Sequence, residues 1–166
     1  MNLYILRHAI AENKPKWKGP DSDRPLTKEG IQKMKKAAKG IRRLGILADW
    51  ILTSPYRRAY DTAMILAKEL KVKKQLKVSK MLAPDGDQKA LVRHLGLNFR
   101  SWESVILVGH DPYLSQFISV LTSGTKQLAL ELDKGGLAKL TSDSLTYDQC
   151  ARLEWLLTPK ILKKLA

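Results

Sequence analysis

The chain has 166 residues, of which 44% are hydrophobic and 28% are charged, a composition typical of soluble globular proteins. Its one cysteine, Cys150, excludes an internal disulfide and a cysteine-based metal cluster. The net charge of +14 comes from 30 Lys+Arg against 16 Asp+Glu. Such a charge favours nucleic acid, acidic membrane or acidic protein as a partner, unless the lysines only form a hydrated surface.

Membrane insertion and export are not indicated. No apolar run approaches the ~20 residues that a bilayer requires. The first strand begins too early to leave room for an export signal. We therefore expect a cytoplasmic protein with a single domain over residues 1–166, a length that supports a hydrophobic core.

The N-terminal half alternates strand and helix patterns. Leu3-Tyr4-Ile5-Leu6 has no polar face, as in a strand buried on both sides. A polar loop at 11–24 is long enough to be a binding loop. Thr27 is a predicted cap for a helix that ends at Gly45. The next predicted elements are a strand at 49–53, a helix at 56–71 opened by Ser54-Pro55, a strand at 76–78 and a helix at 88–97 capped by Asp87.

The C-terminal half ends in a different pattern. A strand at 104–108 is followed by Asp111-Pro112, which repeats the cap-then-proline start of a helix. Two further strands, at 135–140 and 149–156, have no helix between them and are predicted to be antiparallel. A short basic helix follows Pro159. The whole order predicts a three-layer α/β/α fold with a mostly parallel central sheet and an antiparallel strand near the C-terminus.

Three of the apolar strands end in residues suited to phosphate. The first ends in Arg7-His8, the second leads to Arg58, and the third ends in Gly109-His110. The carboxyl ends of parallel strands share one edge of a sheet, and two of these ends lead into helix N-termini, which favour anions. Arg58 can lean back to that edge, whereas Arg57 projects about 100° away and is predicted to be a surface residue. Two histidines and two arginines without a carboxylate cluster indicate a phosphate site with no metal or cofactor.

The same residues carry a family resemblance. Arg7-His8-Ala9, Ser54-x-x-x-Arg58-Ala59-x-x-Thr62-Ala63 and Gly109-His110 resemble, in order, the three motifs of the histidine phosphatase superfamily, which has the phosphoglycerate-mutase-like fold. Arg24-Pro25-Leu26-Thr27-x-x-Gly30 and Leu82-Ala83-Pro84-x-Gly86-Asp87 are similar to segments of SixA-type phosphohistidine phosphatases. The resemblance covers most of residues 3–120.

This resemblance implies a phosphatase that acts through a phosphohistidine intermediate. His8 would be the nucleophile, with one ring nitrogen taking the phosphoryl group while the other donates to a backbone carbonyl. Arg7, Arg58 and His110 would surround the phosphoryl oxygens, and nearby cations would keep His8 unprotonated. Arg24 matches an arginine that lines the phosphate pocket in the SixA-type proteins; the less favoured alternative is a loop arginine in solvent.

The sequence departs from the superfamily at the general acid. Phosphomonoesterases and mutases of the superfamily carry a glutamate after the third strand, where this chain has Met81. The first carboxylates that follow are Asp85 and Asp87. Asp87 is the predicted helix cap, which leaves Asp85 as the only stand-in for the acid. We therefore expect phosphohistidine in proteins to be the substrate.

Three hypotheses remain open at this point. The first is a protein phosphohistidine phosphatase, with an acidic phosphorelay domain as a candidate partner for the basic surface. The second is a general small-molecule phosphomonoesterase or mutase of the same superfamily. The third is a non-catalytic basic module that binds nucleic acid, but the lysines are spread over several helices without interleaved aromatic residues.

Overall fold

A computed structural model of the protein describes residues 1–98 and 101–166. The structure has six strands and five helices in these ranges. The strands are β1 Asn2–Arg7, β2 Trp50–Thr53, β3 Leu76–Val78, β4 Ser104–Gly109, β5 Leu137–Ser142 and β6 Ala151–Leu157. The helices are α1 Lys28–Arg43, α2 Arg57–Leu70, α3 Gln88–Leu97, α4 Tyr113–Ser123 and α5 Pro159–Lys164.

All six strands form one mixed sheet in the order β3-β2-β4-β1-β5-β6. The first four strands in this order are parallel to one another, and β5 is antiparallel to both β1 and β6. The predicted α/β architecture with a mostly parallel sheet is confirmed. The three strands expected to end at the site, β2, β4 and β1, lie side by side at its centre.

Helices cover both faces of the sheet. Successive residues of a strand point to opposite faces, so each central strand contributes side chains to both. Tyr4 and Leu6 of β1 belong to an apolar cluster that contains side chains of α1, α2 and α5. Leu3 and Ile5 belong to a second cluster with side chains of α3 and α4. The central strands are therefore buried on both sides, as their continuous apolar runs predicted. Among the described residues, no helix has the length and apolar character needed to cross a membrane.

The predicted N-cap residues of two helices are wrong. α2 begins at Arg57 after Tyr56, and α4 begins at Tyr113 after Pro112, so neither Ser54 nor Asp111 occupies the N-cap position. The Ser54 hydroxyl instead accepts a hydrogen bond from the Tyr56 backbone at 3.2 Å and contacts His110 at 2.7 Å. The other predicted caps are confirmed, since Thr27 accepts from the Gly30 N–H and Asp87 accepts from two N–H groups of α3.

Candidate active site

The site lies at the carboxyl edge of the three central strands. Arg7 ends β1 in register with Gly109, which ends β4. The next residue, His8, donates its backbone N–H to the Gly109 carbonyl at 3.0 Å. This pairing brings the rings of His8 and His110 to a centroid distance of 5.2 Å. Both rings are buried, with 6% and 3% of their residue surface exposed.

Two contacts orient the His8 ring. Its Nδ1 lies 2.7 Å from the Ala9 carbonyl oxygen, and a carbonyl can only accept a hydrogen bond. The Nδ1 therefore carries the ring proton and donates it. The Nε2 accepts a hydrogen bond from Arg58 Nε at 3.3 Å. The Nε2 lone pair therefore faces a guanidinium group, which can bind an anion next to this ring nitrogen.

His8 remains unprotonated at neutral pH. Burial lowers the pKa of His8 to about 3, the hydrogen bond to Ala9 opposes this shift, and the charges of Arg58, Arg7 and Lys134 add to it. The cations expected from the sequence do act in this direction, but desolvation of the ring is the larger cause.

Arg58 is held in place by a loop residue. The Arg58 side chain donates from Nη1 to the Asp21 backbone carbonyl at 2.8 Å and from Nη2 to Asp21 Oδ2 at 3.1 Å. Its guanidinium also lies 4.9 Å from the centre of the Tyr56 ring. Arg57, in contrast, is exposed, as predicted, and it pairs with Asp61 at 3.6 Å. The first turn of α2 therefore directs Arg58 inward and Arg57 outward.

Arg24 is attached to the same aspartate. Arg24 Nε donates to Asp21 Oδ1 at 2.8 Å, and its Nη1 donates to the Glu12 carbonyl at 2.7 Å. Partial burial raises the pKa of Asp21, but hydrogen bonds and charges from Arg24 and Arg58 outweigh burial, so the net pKa lies below its ordinary value. Asp21 is therefore an ionised acceptor between two arginines, and it brings Arg24 close to Arg58.

His110 and Arg7 complete the set from the two neighbouring strands. His110 Nε2 lies 2.7 Å from the Ser54 hydroxyl, and its ring packs edge-on against Tyr56 at 5.1 Å. Burial, followed by the charges of His8 and Arg58, lowers the pKa of His110 to about 3. Arg7 Nη1 donates to the Leu132 carbonyl at 2.8 Å. In the described ranges, Arg7 Nε and His110 Nδ1 are buried and have no hydrogen-bond partner.

Comparison with known proteins places this arrangement in a family. The sequence model of the family described as histidine phosphatase superfamily (branch 1) matches residues 3–82, which contain the first two motifs. An uncharacterized protein of Picosynechococcus sp. is 35% identical over 147 residues, which cover 86% of this chain and 86% of that protein. The chain belongs to the histidine phosphatase superfamily.

Several solved structures share this fold. The protein histidine phosphatase SixA, solved with tungstate, matches with a TM-score of 0.85 at 24% identity over 96% of this chain and 98% of that one. A candidate SixA phosphohistidine phosphatase from Agrobacterium tumefaciens matches with a TM-score of 0.75 at 23% identity over 95% and 98%. A phosphoserine phosphatase mutant from Entamoeba histolytica matches with a TM-score of 0.71 at 16% identity over 97% and 98%. The fold is therefore SixA-like, and it is shared with phosphatases of other substrates.

Thr62, a residue of the second motif, connects two parts of the site. The Ala9 N–H donates to the Thr62 hydroxyl at 3.0 Å, and that hydroxyl donates to the Arg58 carbonyl at 2.7 Å. Thr62 is fully buried. It therefore connects the residue that orients His8 to the helical turn that carries Arg58.

Asp85 makes no hydrogen bond or ion pair with the four site residues in the part of the chain that the structure describes. Its side chain is exposed and lines a surface cavity of about 360 Å³ beside Asp87 and Tyr113, and none of His8, Arg7, Arg58 or His110 lines that cavity. Asp87 is used as the cap of α3. In the described part of the chain, no carboxylate is hydrogen-bonded to either histidine ring. The described residues also contain no group of three or more His, Cys, Asp or Glu side chains that could hold a metal ion.

Asp21 is the site residue that the sequence did not reveal. In the sequence it is one of three acidic residues in the polar loop at 11–24, where no motif or periodicity distinguishes it. The one available signal is its spacing from Arg24, three residues later, which suits a local ion pair. Its second partner, Arg58, is 37 residues away along the chain, so this contact depends on the tertiary fold.

Proposed function

We propose that the protein hydrolyses phosphohistidine in proteins and carries the phosphoryl group on His8 Nε2 between the two halves of the reaction. The observation that carries this proposal is the orientation of the His8 ring, with Nδ1 donating to Ala9 and Nε2 facing the Arg58 guanidinium. Such a ring is a neutral nucleophile whose Nε2 lies beside a cation that can bind an anionic phosphoryl group.

In the first half-reaction, His8 Nε2 attacks the phosphorus atom of the substrate. A new P–N bond forms to Nε2 while the P–N bond of the substrate breaks. The substrate imidazole, protonated on its other ring nitrogen, leaves as a neutral ring. In the second half-reaction, water attacks phosphorus, the bond to Nε2 breaks, and inorganic phosphate and a proton are released.

The hydrogen-bond donors around His8 suit the charge of this reaction. During phosphoryl transfer, charge spreads over the three equatorial oxygens and is stabilised by positioned donors. We assign this role to Arg7, Arg58 and His110, with Arg24 at the edge of the pocket. The buried and unpartnered Arg7 Nε and His110 Nδ1 support this assignment, since buried polar groups normally have partners.

The choice of phosphohistidine follows from the shortage of proton donors. An alkoxide leaving group needs a positioned acid, which contributes typically 10²–10⁴ in rate. Met81 stands where the superfamily's glutamate is expected, and the arginines keep Asp21 ionised. Among the described residues, Asp85 has no hydrogen bond to either histidine ring. A phosphorylated imidazole needs no such acid, because it is protonated on its own ring.

The experiment compares two substrates of the purified protein. We expect kcat/KM for a phosphohistidine-bearing protein to exceed that for an unactivated alkyl phosphate such as phosphoserine by at least about 10², the size of an acid's contribution. Phosphoserine is a suitable comparison substrate, because a phosphoserine phosphatase has a similar fold. Equal values, or loss of phosphohistidine hydrolysis in Asp85→Asn, would show that an acid is present and favour a general phosphomonoesterase.

A second prediction concerns the residues of the cluster. His8→Ala should abolish turnover, and Arg7→Ala, Arg58→Ala and His110→Ala should each lower kcat by about 10²–10³, the effect of losing one transition-state donor. Arg57→Ala is the matched control, since it is the neighbouring arginine on the outer face of α2. Wild-type turnover in His8→Ala would refute the mechanism, provided that circular dichroism shows an unchanged fold.

A further inference from the structure

A small cleft opens directly beside Ala9, the residue that follows His8. It has a volume of about 130 Å³ and lies between the first half of α1, the turn before β5 and the start of α5. Its floor is mainly apolar and includes Met34, Ala37 and Pro159. Of the residues that line the cleft, Ala9 also contacts His8 and Thr62 through its backbone, and Lys134 contributes to the lowered pKa of His8.

The cleft has a positively charged rim. Lys33, Lys134, Lys160 and Lys163 line it, with no acidic residue among its lining side chains. Lys33 is paired with Glu29 one turn earlier in α1. Lys134 and Lys160 are exposed and have no ion-pair partner in the part of the chain that the structure describes. The rim therefore retains free cations above an apolar floor.

The cleft is continuous with the active-site strand. Gly135, which lines it, donates its N–H to the Arg7 carbonyl at 3.1 Å, and Arg7 donates its own N–H to Gly136 at 3.2 Å. Gly135 has a φ of +82°, which side chains rarely adopt. The turn that carries Lys134 is therefore held against Arg7, and it adds no side chain from Gly135 to the cleft.

We propose that this cleft is a specificity subsite, which takes one aliphatic side chain of the phosphoprotein substrate while acidic residues beside that side chain meet the lysine rim. The inference rests on the proposed function, because it concerns the residues next to the phosphohistidine. A substrate residue two or three positions from the phosphohistidine can extend about 7–10 Å from it.

The size and charge of the cleft favour this occupant. An apolar cavity of about 150 Å³ admits benzene, so a cleft of about 130 Å³ suits a leucine or valine side chain better than a larger aromatic one. The lysines favour carboxylates over cations at the flanking positions. A lipid chain is a poorer fit, since it is longer than a cleft of about 130 Å³ can hold.

The test uses phosphohistidine peptides that differ at one position. The series carries leucine, alanine or lysine two residues from the phosphohistidine, each between two glutamates, and a fourth peptide has the leucine between two lysines. We expect kcat/KM to be about tenfold lower for alanine than for leucine, as partial burial of a leucine side chain predicts. The lysine-flanked peptide should be several-fold slower than the glutamate-flanked one.

Two variants connect the preference to the cleft. Lys160→Glu should lower kcat/KM for the glutamate-flanked peptide about fivefold, whereas Lys164→Glu should not. Lys164 is the matched control, because it lies exposed on the same helix, changes the net charge equally and does not line the cleft. Ala37→Leu fills the floor and should remove the preference for leucine over alanine.

The outcomes separate the two proposals. If the wild type hydrolyses the leucine and alanine peptides at one rate, or if Lys160→Glu and Lys164→Glu behave alike, the subsite is refuted while the proposed function stands. If it hydrolyses none of the peptides but does hydrolyse an aryl phosphate, the proposed function fails and the subsite with it. Binding to anionic lipid vesicles that Lys160→Glu abolishes, without any peptide preference, would assign the rim to membranes instead.

Discussion

His8 shows how burial and hydrogen bonding set the properties of one side chain. The Ala9 carbonyl selects the tautomer, and removal from water keeps the ring neutral despite its usual pKa near neutrality. The surrounding arginines then contribute positive charge where a phosphoryl group is proposed to bind. A solvent-exposed histidine beside the same arginines would keep part of its positive charge in mildly acidic solution and would lose nucleophilicity there.

The lowered histidine pKa values predict a loss of stability in acid. His8 and His110 have pKa values of about 3 in the folded state, whereas an unfolded histidine titrates near 6.5. Between these values the unfolded chain binds more protons, so stability falls as pH falls from 6.5 toward 3. We expect each ring to contribute a loss of about 1–2 kcal/mol between pH 7 and pH 5.

Urea unfolding at pH 7, 6 and 5 measures this loss. The His8→Ala variant should lose less stability than the wild type over that interval, because one of the two titrating rings is absent. Parallel curves for the two proteins would contradict the buried, neutral state of His8. Carboxylates such as Asp21 titrate mainly at lower pH and contribute equally to both proteins.

The residues of the site differ in how far the sequence could reveal them. His8, Arg58 and His110 are visible because each follows an apolar strand, and the edge of a parallel sheet collects such residues. Asp21 is not visible in this way, since it lies in a loop without periodicity and its pairing with Arg58 is created by the packing of that loop against α2. Burial as the main cause of the His8 pKa shift also requires knowledge of the packed structure.

At the level of elements, the start of α1 positions the loop that follows His8. Thr27 donates its backbone N–H to the Ile10 carbonyl at 3.0 Å and caps Gly30 with its hydroxyl. A Cβ atom on Gly30 would lie 2.1 Å from that same Ile10 carbonyl oxygen. The absence of a side chain at Gly30 therefore allows α1 to approach the backbone segment Ala9-Ile10.

We predict that Gly30→Ala destabilises the protein although alanine is the better helix former. Clash with the Ile10 backbone should cost more than the roughly 1 kcal/mol that alanine contributes in a helix, and displacement of Ala9 should also lower kcat. Gly96→Ala is the matched control, because its nearest atom is 3.8 Å away and no strain opposes the helix propensity. Thermal unfolding should show a lower Tm for Gly30→Ala and an equal or higher one for Gly96→Ala; the reverse order would contradict the close approach.

Some helix starts are determined by neighbouring residues, and others depend on tertiary contacts. The caps at Thr27 and Asp87 are predictable because each hydroxyl or carboxylate bonds the N–H groups next to it in sequence. Ser54 has the same local chemistry, but its hydroxyl also lies 2.7 Å from His110, 56 residues away. A rule based on neighbouring residues cannot predict this tertiary contact. Ser54 is therefore not the N-cap, and α2 starts at Arg57.

At the scale of the whole molecule, the positive charge is not confined to the site. A groove of about 440 Å³ between α1 and α2 is lined by Lys35, Lys39, Lys68 and Lys71, while Arg42 beside them is neutralised by Glu69 at 2.9 Å. This groove lies toward the C-terminal ends of both helices, away from Arg58 in the first turn of α2. We therefore expect its charge to act on an approaching partner and not on a phosphoryl group at His8.

We predict that this charge accelerates the encounter with an acidic phosphorylated protein, such as an acidic phosphorelay domain. Salt screens charges over ~10 Å at 0.1 M, and steering acts mainly on the association rate. Between 20 and 300 mM NaCl, kcat/KM for the phosphoprotein should therefore fall about tenfold. For a small phosphoramidate, whose encounter with the site involves little of the distant surface, it should change much less. Equal salt dependence for both substrates would show that the lysines do not recruit the protein, and tight, salt-sensitive binding of RNA or DNA would assign them to nucleic acid.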